Sequence, residues 1–173
     1  GAATAAWRSR EPARLGAASG RIEGIGRNRR HPDGLPVDPE VGVLRILTAA
    51  GPGCLFARYS CHAVVLGPDN LLISADYPGY AQRFVERVLG PGLDAMFANG
   101  AAGDVNTGHS ADLSALGYHI PGRTFERAER LGTMLGAEVV EAAQGLEMEP
   151  DPVIRACSRE VRLPTKDLPS VAE

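Results

Sequence analysis

The chain has 173 residues, 44% of them hydrophobic, enough for the core of one ordinary domain. Its 18 Lys and Arg against 21 Asp and Glu give a formal net charge of -3, so it has no basic surplus to grip a phosphate backbone, and nucleic acid is not an expected partner. No apolar run approaches the roughly 20 residues that span a bilayer, so no transmembrane segment is expected.

The first residue is Gly1 and no signal-peptide pattern opens the sequence, so we expect a mature, trimmed or internal stretch of polypeptide. The first twenty residues are rich in Ala and Gly. "ARLGAASGRIEGIG", 13–26, reads as one or two short strands interrupted by glycine turns. "GRNRR", 26–30, is a small basic knot whose simplest reading is a solvated loop. "HPDGLPVDPE", 31–40, concentrates Pro, Asp and Gly and is expected to be loop. "VGVLRIL", 41–47, and "CLFARYSCH", 54–62, are strand-like runs joined by "TAAGPG", a hairpin signal. "NLLISA", 70–75, is predicted as a short buried strand.

Downstream, "YAQRFVERVL", 80–89, places Phe84, Val85, Val88 and Leu89 at helical spacing before a Gly90-Pro91 stop. "DAMFANG", 94–100, is predicted as a buried strand that runs into the glycine-rich "AAGDVNTGHS". "TFERAERLGTMLGAEVVEAAQGL", 124–146, is the longest predicted helix, with Phe125, Ala128, Leu131, Leu135 and Val139 near one face. "VIRACSREVRLP", 153–164, alternates imperfectly and is predicted as a late strand; the last nine residues resemble a linker. Strands alternating with helices point to an α/β fold, a layered domain with a mixed sheet and flanking helices. In such sheets functional loops leave the carboxyl ends of strands, so His62 and the 99–109 loop could share one rim.

The three cysteines, Cys54, Cys61 and Cys157, show no C-x-x-C spacing, which argues against a disulfide framework and a cysteine zinc site. His62 follows a predicted strand, where a metal ligand would be rigidly held. The same position suits a structural histidine, and residues alone leave both readings open. His31, His109 and His119 form no i+2 or i+4 pair with it or with each other. In "NGAAGDVNTGH", 99–109, small residues let backbone N–H groups approach a ligand or an oxyanion, with Asp104 and Asn106 as the polar groups; a tight turn explains the composition equally well. Asp76, ahead of a helix with Pro78 as an early helical residue, is best read as a cap satisfying free N–H groups.

Three ordered blocks, "YSCHAVVLGPDNLLISADYPGYAQR", "FANGAAGDVNTGH" and "FERAERLGTMLGAEVVEAAQGL", resemble the N-terminal catalytic domain of the neutral/alkaline non-lysosomal ceramidases and their bacterial ceramidase-like relatives. "VDPEVGVLRI" resembles the segment that precedes them, and together the blocks cover most of residues 21–146. The resemblance implies zinc-dependent hydrolysis (Zn2+ as cofactor) of the N-acyl amide of ceramide or a related lipid. It implies that His62 is a metal ligand, within "H…S-x-D-x-x-G-Y". Arg27 falls where the family has an active-site arginine, and Gly103, Asp104, Val105 and Asn106 fall on its "GDVS" stretch. The roles implied are catalytic for Arg27 and Asn106, and substrate-binding for Gly103, Asp104 and Tyr77.

Two departures qualify that picture. Asn106 stands where animal-type enzymes have a serine, and an asparagine can donate to an oxyanion but cannot be a serine nucleophile, so the substrate need not be ceramide itself. The family's other zinc ligands, a histidine upstream and a Glu and a Tyr downstream, have no matching motif. Residues 1–173 are therefore expected to be a single domain that is an internal part of a larger ceramidase-like catalytic domain. The alternatives are a catalytically incomplete scaffold of the same fold, or a metal-dependent hydrolase for a different ester or amide.

Overall fold

A computed structural model of the chain describes residues 1–31, 36–109 and 119–165. Part of the expected proline-rich loop, at 32–35, and nearly all of the linker-like end, at 166–173, lie outside the described residues. The elements run α1 (Ala2–Arg8), β1 (Ala13–Arg21), β2 (Arg27–Asn28), β3 (Glu40–Thr48), β4 (Gly51–Tyr59), α2 (Asp76–Leu89), β5 (Asp94–Asn99), β6 (Val105–Asn106) and α3 (Phe125–Ala143).

The main sheet has the strand order β1-β3-β4-β5. β1, β3 and β4 are antiparallel, and β5 pairs with β4 in parallel, Cys54 opposite Asp94 through Tyr59 opposite Asn99. A parallel neighbour needs a crossover, and α2 provides it. The result is the mixed α/β sheet that the alternation of elements predicts. Residues on β3 and β4 alternate so that Val41, Val43, Leu55, Ala57 and Tyr59 enter one buried cluster with the inner faces of α2 and α3. Burying each of Val41, Val43 and Leu55 contributes about 1.5–3 kcal/mol relative to exposure. On the other side of the sheet Leu44, Ile46 and Phe56 are half-buried and Met96 is 52% exposed, so among the described residues helices cover one face only.

Glycine spacing on α3 sets how closely the two helices approach. A Cβ on Gly132 would collide with the Tyr77 carbonyl and the Tyr80 side chain and lie 2.9 Å from the Ala81 nitrogen. One on Gly136 would lie 2.9 Å from the Phe84 ring and 3.0 Å from the Ala81 carbonyl. α3 starts at Thr124, whose hydroxyl accepts from the Arg127 N–H, and Phe125, expected on the inner face, is 37% exposed at that start.

Four expectations change. The 13–26 segment contains one continuous nine-residue strand, because Gly16 and Gly20 make room for the chain after α3 and for α3 itself, and the turn expected from glycine comes only at Gly24, at φ +85. A Cβ on Gly16 would meet Met148 Sδ at 2.7 Å, and one on Gly20 would meet Ala142 Cβ at 3.3 Å. Residues 70–75 form no strand: Leu71 and Ile73 are 94% and 106% exposed, and the Asn70 side chain bonds both the N–H and the carbonyl of Leu72, a local pairing that competes with a ladder. Residues 153–164 have no regular structure and are almost wholly exposed, since this charged stretch finds no strand edge among the described residues. α1, unanticipated in the Ala-rich start, buries nothing and carries Trp7 under the Arg10 guanidinium at 3.6 Å.

Gly132→Ala should destabilise the fold by about 1–3 kcal/mol through overpacking of α2 against α3. Urea unfolding followed by circular dichroism measures it; an unchanged midpoint would contradict the close helix approach.

Candidate functional site

β4 and β5 run parallel, so the chain leaves both at the same rim, and the loops that follow them meet there. After β5 the chain turns at Gly100, whose N–H donates to the Tyr59 carbonyl at 3.0 Å, and reaches β6. β6 pairs with β2 in a two-stranded ribbon, Arg27 opposite Asn106 and Asn28 opposite Val105. Gly26 is confined here, because a Cβ would meet Val105 Cγ1 at 2.8 Å and the Tyr59 hydroxyl at 3.3 Å. After β4 the chain reaches His62, whose N–H donates to the Val105 carbonyl at 3.0 Å. Five of the six residues singled out in the sequence, Arg27, His62, Gly103, Asp104 and Asn106, are thereby joined through one backbone network.

The His62 ring is half-buried, and its Nε2 sits 3.0 Å from the Gly103 carbonyl. A carbonyl only accepts, so Nε2 is the donor in this contact and Nδ1 is the ring nitrogen left for another partner. Hydrogen bonding of one ring nitrogen to a backbone carbonyl is the arrangement that orients a metal-binding imidazole. Gly103 itself has φ +40 and is exposed, so its carbonyl is presented at the rim by a left-handed turn.

Asp104 does not point at an open pocket. Its Oδ1 accepts from Arg30 Nε at 2.6 Å, with Arg29 Nε 3.9 Å away. The hydrogen bond from Arg30 is the chief cause of a carboxyl held below its usual range. The basic knot thus has two of its arginines tied to the glycine loop, Arg29 also through its N–H on the Asp104 carbonyl at 2.8 Å, and is not the solvated loop its composition suggests. Arg27 stays exposed, its stem passing beside Gly108. Asn106 is fully buried and bonded within its own loop: Nδ2 donates to the His109 carbonyl at 2.9 Å, and Oδ1 accepts from the N–H groups of Gly108 and His109 at 2.9 and 3.2 Å. Arg127 of α3 closes the loop from behind, Nη2 donating to the Thr107 carbonyl at 2.6 Å.

Tyr77 is fully buried beneath the rim, and its hydroxyl donates to the Cys61 carbonyl at 2.7 Å. Burial is the main reason its phenol stays protonated far above the usual range. The neighbouring Cys61 thiol is pushed up to about 12, again chiefly by burial, so no Cys-His nucleophile forms here. Asp76 differs from its expected role. Ala75 is the N-cap and Asp76 the first residue of α2; its carboxylate accepts from the adjacent Tyr77 N–H at 2.8 Å and from the N–H groups of Val65 and Leu66, so it holds the His62 loop rather than capping the helix. Two further residues escaped the sequence reading. Arg123, in the unmotivated stretch "IPGRT", bonds the carbonyls of Val64, Val65 and Leu66. His109 is buried with Nε2 lacking a partner among the described residues, and its pKa is lowered by burial first and by the Arg123 charge second.

A zinc centre takes three or four protein ligands. Among the described residues no three His, Cys, Asp or Glu side chains are grouped to hold a metal ion. His62 can offer one nitrogen; the described residues do not make a centre on their own.

No family model matches the chain, and no curated protein matches it. Solved structures similar to it include neutral ceramidase from Pseudomonas aeruginosa, with 25% sequence identity and a TM-score of 0.62, and a ceramidase complexed with C2, with 25% identity and a TM-score of 0.61. Each match covers 78% of this chain and 23% of the neighbour, so the chain spans under a quarter of the length of the proteins it is similar to. The α/β fold described above is a ceramidase-like one.

His109 supplies a pH test of the rim. Its folded pKa lies below the ordinary value near 6.5, so folding favours the neutral ring; the stability it contributes is complete above that value and lost as pH falls through the folded pKa. The urea midpoint should drop between pH 7.5 and 5.5, and His109→Gln should flatten that drop; an equal drop in both proteins would contradict the assignment.

Proposed function

We propose that this chain belongs to the catalytic region of a zinc-dependent amidohydrolase of ceramidase type, acting on the N-acyl amide of ceramide or a related lipid. The observation that carries the reading is the likeness to two ceramidase structures over 78% of the chain, together with the meeting of His62 and the Gly103–Asn106 loop on one rim. Zinc, when bound, would supply an activated water and polarise the scissile carbonyl.

The parts assigned to this chain's own residues follow from their surroundings. His62 is the proposed ligand, held in orientation by the Gly103 carbonyl. The Arg27 side chain is exposed and its guanidinium makes no hydrogen bond or ion pair among the described residues, so it is available to a carbonyl oxygen that gains charge. Asn106 serves that chemistry by ordering the loop beside Arg27, since its amide is engaged at both ends. Gly103 and Asp104 shape the rim where the acyl amide would lie, and Tyr77 supports it from below. A long acyl chain needs an apolar wall, and the exposed Leu71-Leu72-Ile73 segment between His62 and α2 offers one.

The test is hydrolysis of an N-acyl sphingoid base, with zinc, by the polypeptide encoded by the whole reading frame around this stretch. His62→Ala should abolish zinc retention and activity together, and Arg27→Ala should lower kcat by about 10²-fold or more. Unchanged turnover and zinc content in His62→Ala would reject the ligand assignment. Turnover confined to simple esters or other amides would keep the hydrolase and move the substrate, as Asn106 in the place of a serine allows.

A second reading, a catalytically silent scaffold of the same fold, is favoured for the isolated 173 residues by the single candidate ligand. Elemental analysis of the purified chain decides it: we expect well under one equivalent of zinc, and stoichiometric tight zinc would overturn that expectation.

A further inference from the structure

We propose that Asp76 and Arg123 form a clamp on the turn that follows His62 and set the orientation of its imidazole, which makes them positioning residues for that ring. The consequence for catalysis rests on the reading of His62 given above; the geometry of the clamp does not.

Residues 60–75 lie outside the helices and strands, so their backbone groups need other partners. Asp76 and Arg123 supply most of them on one short stretch. The Asp76 carboxylate accepts from the Val65 N–H through Oδ1 at 3.1 Å and from the Leu66 N–H through Oδ2 at 2.9 Å. The Arg123 guanidinium donates through Nη2 to the carbonyls of Val64 at 3.0 Å and Leu66 at 2.9 Å, and through Nε to that of Val65 at 3.3 Å. One carboxylate therefore takes two N–H groups of residues 64–66, and one guanidinium takes all three carbonyls.

The turn passes this constraint to the ring. The Val64 N–H donates to the His62 carbonyl at 3.0 Å, the Cys61 carbonyl accepts from Tyr77, and the Val65 side chain is 1% exposed in the core. With the backbone held on both sides of His62, the point from which the imidazole projects is fixed, and from there Nε2 meets the Gly103 carbonyl.

Asp76 also bears a cost that marks its role. It is the one non-glycine residue with positive φ among those described, at +51. A side chain in that region costs on the order of 1–2 kcal/mol and persists only when its surroundings over-determine it. Here those surroundings are three N–H groups converging on the carboxylate and the Ser74 hydroxyl accepting from the Asp76 N–H at 2.9 Å. An ordinary helix cap needs no such conformation, because it satisfies only its own helix.

The experiment uses the 15N-labelled 173-residue chain without metal, at a pH near 8 where an ordinary imidazole is neutral. Two signals are read in the wild type, in Asp76→Asn, which keeps shape but loses one acceptor, and in Arg123→Lys, which keeps charge but cannot reach three carbonyls. The first is amide exchange at Val65 and Leu66, with Leu135 and Val139 of α3 as the control for global opening. The second is the 15N shift pair of the His62 ring, which reports its tautomer. Both variants should exchange about tenfold faster at Val65 and Leu66, with α3 unchanged. Their His62 ring should pass from a fixed Nε2–H tautomer to a mixture. A fixed tautomer in both variants would overturn the clamp, and so would unchanged exchange. If Asp76→Asn also loses protection in α3, Arg123→Lys, at a less buried site, decides alone. Zinc retention by His62→Ala in the longer enzyme tests the metal reading separately, so the two failures are distinguishable.

Discussion

The rim of this molecule depends on a buried carboxylate that accepts from three backbone N–H groups belonging to two different segments. Asp76 opens α2 and at the same time holds the turn after His62, so the start of a helix and an otherwise irregular loop are fixed by the same two oxygens. A carboxylate bonded this way is stronger than a neutral acceptor, and inside a low-dielectric rim it leaves little freedom to either partner. Arg123 completes the arrangement from the far end of the chain, just before α3. The loop is ordered without belonging to any helix or strand.

That carboxylate is in turn placed by helix packing. Gly132 of α3 faces the first turn of α2, where the Tyr77 carbonyl and the Ala81 nitrogen approach too closely for any side chain. The helices can therefore nest with Asp76 and Tyr77 directly behind His62, and a change deep in the helix seam is expected to reach the rim. Tyr77 joins the two regions as well, its ring edge-on to Phe97 at 6.0 Å between centroids and its hydroxyl on the Cys61 carbonyl. The buried cluster and the candidate site are one mechanical unit.

Among the described residues the rim gathers few groups. One imidazole nitrogen, one exposed arginine and a tightly bonded glycine loop meet at the rim, while the opposite face of the sheet leaves Leu44, Ile46, Phe56 and Met96 without a helix over them among the described residues. Both features accord with a chain that spans 23% of the ceramidases it is similar to. What the described residues show at this rim is orientation: a backbone network that fixes where the His62 ring and the glycine loop sit.

Much of this was readable in the residues. The apolar runs at 41–47, 54–62 and 94–100 and the helical spacing of 124–146 correspond to β3, β4, β5 and α3, because a buried face imposes a period on any sequence that must form it. His62 and the glycine loop were placed at strand ends for the same reason. Where apolar content came without a partner, as at Leu71-Leu72-Ile73 and Val153-Ile154, local pattern misled, since a short run reads the same whether or not a strand edge awaits it. Gly16 and Gly20 misled in the opposite sense, looking like turns when their missing side chains make room for α3 and the chain after it. The amino-acid order alone therefore determined the α/β class and the long periodic elements, which follow from a buried face, while the candidate groups came from a resemblance of ordered motifs rather than from periodicity. Only the folded chain decided that Asp76 grips a loop ten residues back, that Arg123 reaches across 57 residues to the same loop, and that Asn106 turns inward on its own backbone. Those are long-range or buried hydrogen bonds, and a partner's distance along the chain carries no information about its distance in space.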